Sequence, residues 1–510
     1  MPQAHALIGA PPRAGRACVR DLFSRLLGVT FLVAFLSLLS QITLLFGARG
    51  LLPAGEFLSR VTGRATFIDI PTIFWWTGAS DGVLVAAAAL GAFASLLLIA
   101  NVAPRITLAL LWALYLSFAS VGQDFLSFQW DNLLLESAFF AFLVAPPGLR
   151  PGRPHAPHGA AVFLMLWFVF RFHVESGLAK LLTGDPTWRD LTAMATYYET
   201  APLPTWIGWY VHQLPLWAHK ACSLFTFVVE IGLPLLFWVP NRRVRGAAFV
   251  LLIAMQISII ATANYGFFNY LTMALCLWVL DDGHLAWVGA RVPRGVVRAL
   301  GLAARESALA GGVVGEAPRS PTLVSVAPYV LAALIVPLSI VPFARFFRAP
   351  ALNAAVEPLR REMSNWRSIN AYHLFASMTL VRREPVIEGS NDGETWSAYE
   401  FRHKPGDVRR APPFVAPHQP RVDFQLWFLL LRGKPNAEYF STLLARMLED
   451  PAAVAPLFAH DPFGGAPPRM LRVASYRYTF TSRAERRATG AWWHRELEGK
   501  TPPLTADDVR

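Results

Sequence analysis

The sequence predicts a mainly α, polytopic transmembrane helical bundle of about nine spans, followed by a C-terminal β-rich, sandwich-like extracytoplasmic domain. Three observations carry this. Hydrophobic residues make up 54% of the 510 and charged residues only 16%, against about a quarter charged in ordinary soluble chains. Apolar runs long enough to cross hydrocarbon recur along the first two thirds of the chain. Arginines gather beside alternate runs, which is where positive-inside bias places them. That placement also explains the net charge of +12 without nucleic acid, since no basic stripe is interleaved with aromatics on a soluble fold.

Residues 1–25 read as a cytoplasmic N-terminal tail carrying Arg13, Arg16, Arg20 and Arg25. Residues 26–298 read as the bundle. Its spans are expected near 26–46, 82–102, 106–123, 160–182, 221–239 and 246–263. Shorter runs near 131–146 and 266–280 either span by tilting or re-enter. A flexible cytoplasmic linker with Gly311, Gly312, Gly315, Pro318 and Pro321 covers 299–325, and the last span covers 326–345. Nine crossings put Arg105, Arg150, Arg153, Arg242, Arg243, Arg245, Arg291, Arg294, Arg298 and Arg305 on the side of the N-terminal arginines. The opposite loops are mixed or acidic. The first apolar run lacks a small-residue cleavage site and is expected to be retained.

Residues 346–510 change character and read as the extracytoplasmic β-rich domain. EGSNDGETWSAY (388–399) has a polar turn between two strand-like stretches. Asn436 is a candidate cap for a helix carrying Phe440, Leu443, Leu444 and Met447 on one face, and Tyr476, Tyr478 and Phe480 alternate as in a half-buried strand.

Ionisable groups inside spans are expensive and therefore candidates for function. Arg171 and Glu175 share a helix face, while Glu136 and Glu230 lie in other spans and Lys180 near the end of the fifth. They suit either a buried ion-pair network or a catalytic or substrate-binding cluster. The outer segment 183–220 is dense in aromatics and proline. It reads as an interfacial re-entrant segment, as a client-receiving surface, or as a pocket. Its candidate binding residues are Asp185, Trp188, Arg189, Asp190, Tyr197, Tyr198, Glu199 and His212. In PGDVRRAPPFVAPHQPRVDF, His418, Arg421 and Asp423 are candidates for a binding loop, against turn-forming structure. His212 and His219 are not at a metal-ligand spacing, the three cysteines (Cys18, Cys222, Cys276) form no CxxC, and no metal or cofactor is implied. There is no GxxxxGK[ST], HExxH or GxSxG, so a conventional ATPase, zinc protease or serine hydrolase is not expected.

Five stretches resemble the lipase maturation factor family. They are GQDFLSFQWDNLLLES (122–137), SGLAKLLTGDPTWRDLTAMATYYETAPLPT (176–205), ANYGFFNYLTMALCL (263–277), INAYHLFASMT (369–379) and VIEGSNDGETWSAYEFRHKPGDVRRAPPFVAPHQPRVDFQLWF (386–428). The resemblance implies a multi-pass protein whose C-terminal domain faces the endoplasmic reticulum lumen in animals, or the periplasm in a bacterium. It also implies help in folding and assembling a secreted client such as a lipase. The expected outer segments contain no cysteine, so work on client disulfides would need a separate oxidoreductase. A non-enzymatic, chaperone-like maturation factor is thus the leading expectation. The alternative is a membrane enzyme working on a lipid-linked or secreted substrate through Arg171, Glu175, Glu136 and Glu230. A transporter is disfavoured because no repeat of spans is visible.

Overall fold

The computed structural model describes residues 15–149, 156–293, 323–347, 349–431 and 437–508. Arg13, Arg150, Arg153, Arg294, Arg298, Arg305, the proposed cap Asn436 and nearly all of the 299–325 linker lie outside them.

Among the described residues, seven helices are long and apolar enough to cross a membrane: α1 (Ala17–Leu39), α2 (Asp81–Ile99), α3 (Pro104–Val121), α5 (Gly159–Leu182), α6 (Leu216–Trp238), α7 (Arg242–Thr262) and α10 (Val326–Phe346). The two short runs resolve differently. The first becomes α4 (Gln129–Val144), whose 16 residues rise about 24 Å, short of a ~30 Å hydrocarbon core. The second becomes α8 (Phe268–Val279), bent by 106° into α9 (Asp282–Gly289), a possible eighth crossing.

Helix α1 is the bundle's axis. Its Phe23, Phe31 and Phe35 are fully buried, and it packs against α2, α4, α8 and α9. It begins at Ala17, well before residue 26 where the apolar run starts. The reason is not local: the Asp282 carboxylate accepts the N–H groups of Ala17, Cys18 and Val19 at 2.9–3.1 Å. This caps a helix start from a distant segment. Arg20 and Asp21, which looked like part of a tail, are buried and paired within the helix. Peripheral helices instead show apolar side chains outward, as Val250 and Ile257 on α7 and Phe93 on α2 do, which is the pattern of a lipid-facing wall. The aromatic segment is largely helical: Pro186–Arg189, Ala193–Thr200 and Trp206–His212 precede α6. Helix α6 is irregular, with a π turn at Val228–Gly232 and a 3-10 stretch at Leu233–Trp238.

After α10 comes α11 (Pro350–Trp366), which buries no residue, and then the C-terminal domain. Strands β1 (Arg382–Ser390), β2 (Ser397–Ala398), β5 (Met470–Phe480) and β6 (Trp493–Lys500) form an antiparallel sheet in the order β2-β1-β5-β6. Strands β3 (Glu400–Phe401) and β4 (Phe458–His460) form a second, two-stranded one. The β1–β2 turn is built by Asp392, which accepts the N–H groups of Glu394 and Thr395. In β5, Tyr478 and Phe480 are buried with Thr479 between them half-buried. The helix expected after Asn436 is α13 (Glu438–Glu449), with Phe440, Leu443, Leu444 and Met447 buried on one face, while α12 (Arg421–Leu431) was not foreseen; they pack on β5 and β1 respectively.

Gly91 on α2 sits where an added Cβ would lie 2.4 Å from the Phe35 ring of α1. Replacing Gly91 by Leu is expected to destabilise the bundle by about 1–3 kcal/mol through overpacking. A thermal melt of the detergent-solubilised chain reads this; an unchanged melt would mean α1 and α2 do not meet there.

Candidate functional site

The charged residues of the spans converge on one seam, where two segments of the C-terminal domain enter one end of the bundle. The first, 367–379, runs along the C-terminal half of α5. Glu136 of α4, with no exposed surface, pairs with Arg171. Its Oε2 accepts the Asn370 N–H (2.9 Å), Asn370 Nδ2 (2.9 Å) and the Tyr372 hydroxyl (2.7 Å). Arg171 also pairs with Glu175 at 3.2 Å and donates to the Asn370 carbonyl. The second oxygen of Glu175 accepts the Tyr372 N–H at 3.1 Å. Further along, Lys180 pairs with Glu230 of α6 at 2.7 Å and donates to the Leu374 carbonyl at 3.0 Å. Then Thr183 donates to the Ala376 carbonyl, Trp188 Nε1 to the Phe375 carbonyl, and Asp185 accepts the Met378 N–H at 2.8 Å. Helical spacing aligns the members of each rung: Arg171 with Glu175, four apart, and Lys180 with Thr183, three apart, share a face of α5 within each pair.

The second segment, 413–423, closes on the neighbouring helices. Arg421 makes a two-pronged pair with Asp131 of α4, both contacts 2.8 Å, and the Tyr115 hydroxyl donates to the same carboxylate at 2.6 Å. Asn264 accepts the N–H groups of Val415 and Ala416 and donates to the Pro413 carbonyl. Ser37 of α1 lies 2.9 Å from His418 Nδ1 and accepts the Gln419 N–H at 3.0 Å. A hydroxyl against an imidazole could be a nucleophile and base. Here the buried Ser37 oxygen is also tied to the backbone of the same segment, which makes it a clamp.

A third contact joins the aromatic segment to the sheet. Glu199 accepts the Phe480 N–H at 2.6 Å, and Arg382 donates to the carbonyls of Glu199, Ala201 and Pro202. Burial pushes the Glu199 carboxyl up from its ordinary value. His212, 3.8 Å from Glu199, is held down to about 4 by burial and by neighbouring His219, so this contact is not an ion pair at neutral pH.

The candidates read from the sequence therefore separate. Glu136, Arg171, Glu175, Glu230, Asp185, Trp188, Glu199 and Arg421 all sit on the seam. Tyr197 and Tyr198 are buried beside it, Tyr197 receiving the Tyr265 hydroxyl at 3.0 Å. Arg189 and Asp190 are exposed and off the seam; Asp190 only turns the chain onto Thr192. Asp423 and His418 border a polar cleft of ≈ 410 Å³ with Arg402, His403, Arg49 and Asp81. Asp423 accepts the N–H groups of His403 and Lys404, and burial raises its carboxyl. Among the described residues no group of three or more His, Cys, Asp or Glu could hold a metal. Sequence reasoning missed Asp131, Tyr115, Asn370, Tyr372 and Asn264. Asp131 carried the signal that marked Glu136, a charge in an apolar run. Asn370, Tyr372 and Asn264 lay in quoted motif words with nothing to show they were anchors, and Tyr115 lay inside the apolar run that forms α3.

Replacing Arg421 by Met strands Asp131 in a dry interior and is expected to cost about 3–5 kcal/mol. The double variant with Asp131→Leu should recover much of that in a melt or in proteolysis of the 413–423 segment. Independent, additive losses would mean the two residues do not act as a pair. A pH effect follows from His418, which burial, then His403 and Arg421, lower to about 4. A lowered imidazole contributes stability that is intact above ~6.5 and lost as pH falls toward 4, because the unfolded chain then binds the extra proton. The melting temperature of His418→Gln should fall less steeply than that of the parent chain over this window; parallel curves would refute the assignment.

Two family descriptions match along the chain, Lipase maturation factor transmembrane domain over residues 18–287 and Lipase maturation factor C-terminal domain over residues 368–503. The chain is 35% identical to Lipase maturation factor 2 of Gallus gallus, over 96% of this chain and 81% of that protein. It is also 35% identical to Lipase maturation factor 2 of Homo sapiens, over 97% and 84%. With Lipase maturation factor 1 of Bos taurus it shares 33% identity over 96% and 90%. No solved structure matches. The two matched regions meet at the seam of paired charges just described, and the chain belongs to the lipase maturation factor family.

Proposed function

We propose that this chain is a membrane-anchored maturation factor that holds a secreted protein, such as a lipase, while it folds or assembles, and performs no chemistry on it. The observation that carries the reading is the use made of the bundle's charges. Each carboxylate that might have served an enzyme in the spans, Glu136, Glu175 or Glu230, is engaged by a cation. Glu136 and Glu175 also accept backbone N–H groups of 370–372. Groups so engaged have their charge compensated within the protein and serve to fix geometry.

The seam also assembles a surface. Trp206 and Tyr210 of the aromatic segment meet Phe414 and Trp492 of the domain, with Arg486 stacked 3.6 Å over the Trp492 ring. Trp206, Tyr210, Phe414 and Trp217 are all substantially exposed, Trp217 at 73%. A composite aromatic rim of this kind shields apolar patches of a partly folded client by binding alone. The rim lies at the end of α1 opposite Ala17, since Ser37 and Gln41 meet the domain while Ala17 meets Asp282. With arginines at the Ala17 end, positive-inside bias puts the rim and the C-terminal domain outside the cytoplasm. That means the periplasm of a bacterium or the lumen of the endoplasmic reticulum.

Trp206→Ser combined with Trp217→Ser should leave the chain abundant in membranes while the yield of active secreted lipase co-expressed with it drops several-fold. Glu175→Gln should lower the amount of the chain itself and leave the activity per molecule intact. An abundant, folded Glu175→Gln chain without activity would establish the enzyme instead.

A further inference from the structure

A cavity of ≈ 90 Å³ lies inside the bundle, among α5, α6, α7 and α8, beneath Trp188 and Tyr197. Its wall is mostly hydrocarbon and aromatic, with Phe172, Met255, Ile259, Tyr265 and Phe268 on it. Most of its polar side chains are already engaged. Ser176 and Thr226 donate to carbonyls one turn back on their own helices, Lys180 and Glu230 pair, and Asn269 donates to Gln256. Two are not. His173 Nε2 and Trp130 Nε1 have no hydrogen-bond partner among the described residues, yet both side chains line the cavity and are only 3% and 4% exposed.

Their polarities are opposite. His173 Nδ1 sits 2.8 Å from the Val169 carbonyl, which can only accept, so Nδ1 carries the ring proton and Nε2 presents a lone pair. The indole N–H of Trp130 can only donate. A lone acceptor and a lone donor on one apolar cavity each cost free energy unless met, and a hydroxyl can meet both kinds. The first half of α6 packs chiefly on Ala193–Thr200, while α7 packs on the second half of α6. This spreads α6 and α7 beside Thr226 and Ile259. The flanking Leu224, Val228 and Ile257 are exposed on the apolar outer surface. The π turn of α6 carries Glu230 into the cavity wall, and such turns are frequent where helices serve a ligand.

We propose that this cavity binds the head of a hydroxyl-bearing neutral lipid, a long-chain alcohol or partial acylglycerol, entering from the bilayer between α6 and α7. The hydroxyl donates to His173 Nε2 and is offered the Trp130 N–H, and the chain leaves past Met255 and Ile259. An apolar cavity of this kind tends to stay dry, so a molecule with a hydrocarbon body is the better occupant. The site is independent of the maturation reading, which concerns the outer face.

The test uses the full chain in lipid nanodiscs, with diazirine-bearing hexadecanol and, in parallel, its methyl ether, which lacks the donor. After photolysis, peptide mass spectrometry should place the alcohol on residues within 172–180 or 255–269, at about tenfold the yield of the ether. His173→Phe should abolish the preference. Met255→Trp, which fills the cavity from the opposite wall and removes neither polar group, should abolish labelling even if the His173 variant fails to fold. Phe93→Trp, on the exposed face of α2 away from α6 and α7, should change neither. Equal yields for alcohol and ether, label confined to the lipid-facing surface around Leu224 and Ile257, or labelling indifferent to Met255→Trp would each overturn the site.

Discussion

Everything in this molecule depends on the requirement that charge taken out of water be met in place. The bundle buries Glu136, Arg171, Glu175, Lys180, Glu230 and Asp131 at 8% exposure or less, where an unpaired ion costs on the order of several kcal/mol or more. The helices alone do not satisfy them. Asp131 forms its ion pair with Arg421, 290 residues later, and Glu136 completes its hydrogen bonds with Asn370 and Tyr372. The bundle and the C-terminal domain are therefore not two bodies on a tether; the bundle's interior electrostatics close only when the domain is seated.

That dependence explains which words of the sequence looked functional. GDPTWRDL supplies Asp185 and Trp188, which hold Met378 and Phe375. INAYHLFASMT is the strip that α5 grips, and VAPHQPR ends on the Asp131 partner. Polar words set in apolar surroundings are the mark of a site, but equally of an inter-segment joint. A sequence cannot distinguish the two, because the difference lies in whether the partner is a substrate or the chain's own backbone.

Legibility divided along the same line. Spans, the Arg171–Glu175 pair, the β1–β2 hairpin and the strand alternation of Tyr478 and Phe480 come from local periodicity, and so could be read. The early start of α1 could not, since its cap Asp282 comes from the far end of the bundle. The bend between α8 and α9 was equally hidden. Asp281 supplies a capping box with His284 and is paired with Arg245 at 2.5 Å; the sequence shows the acidic doublet but not the direction it turns the chain. The aromatic segment 183–220 was read for its surface chemistry. Four of its Trp and Tyr rings, Trp188, Tyr197, Tyr198 and Trp209, are instead buried in the seam, and Trp206, Tyr210 and Trp217 are left for the rim.

A joint of this composition has a mechanical consequence. Buried ion pairs add little net stability over apolar packing of the same shape, but they are geometrically exacting, because a shifted partner leaves a charge unmet. They are also screened far less by salt than exposed pairs. Apolar contact would let the domain slide over the bundle through many positions of similar energy. The ladder from Arg171 to Asp185 and the Arg421–Asp131 fork permit one. Since Trp206 and Tyr210 lie on one side of the joint and Phe414 and Trp492 on the other, fixing the joint fixes the spacing of the exposed aromatics. The cost of burying so many charges is thus compensated by a surface whose shape does not drift, the property on which the maturation role proposed above would draw.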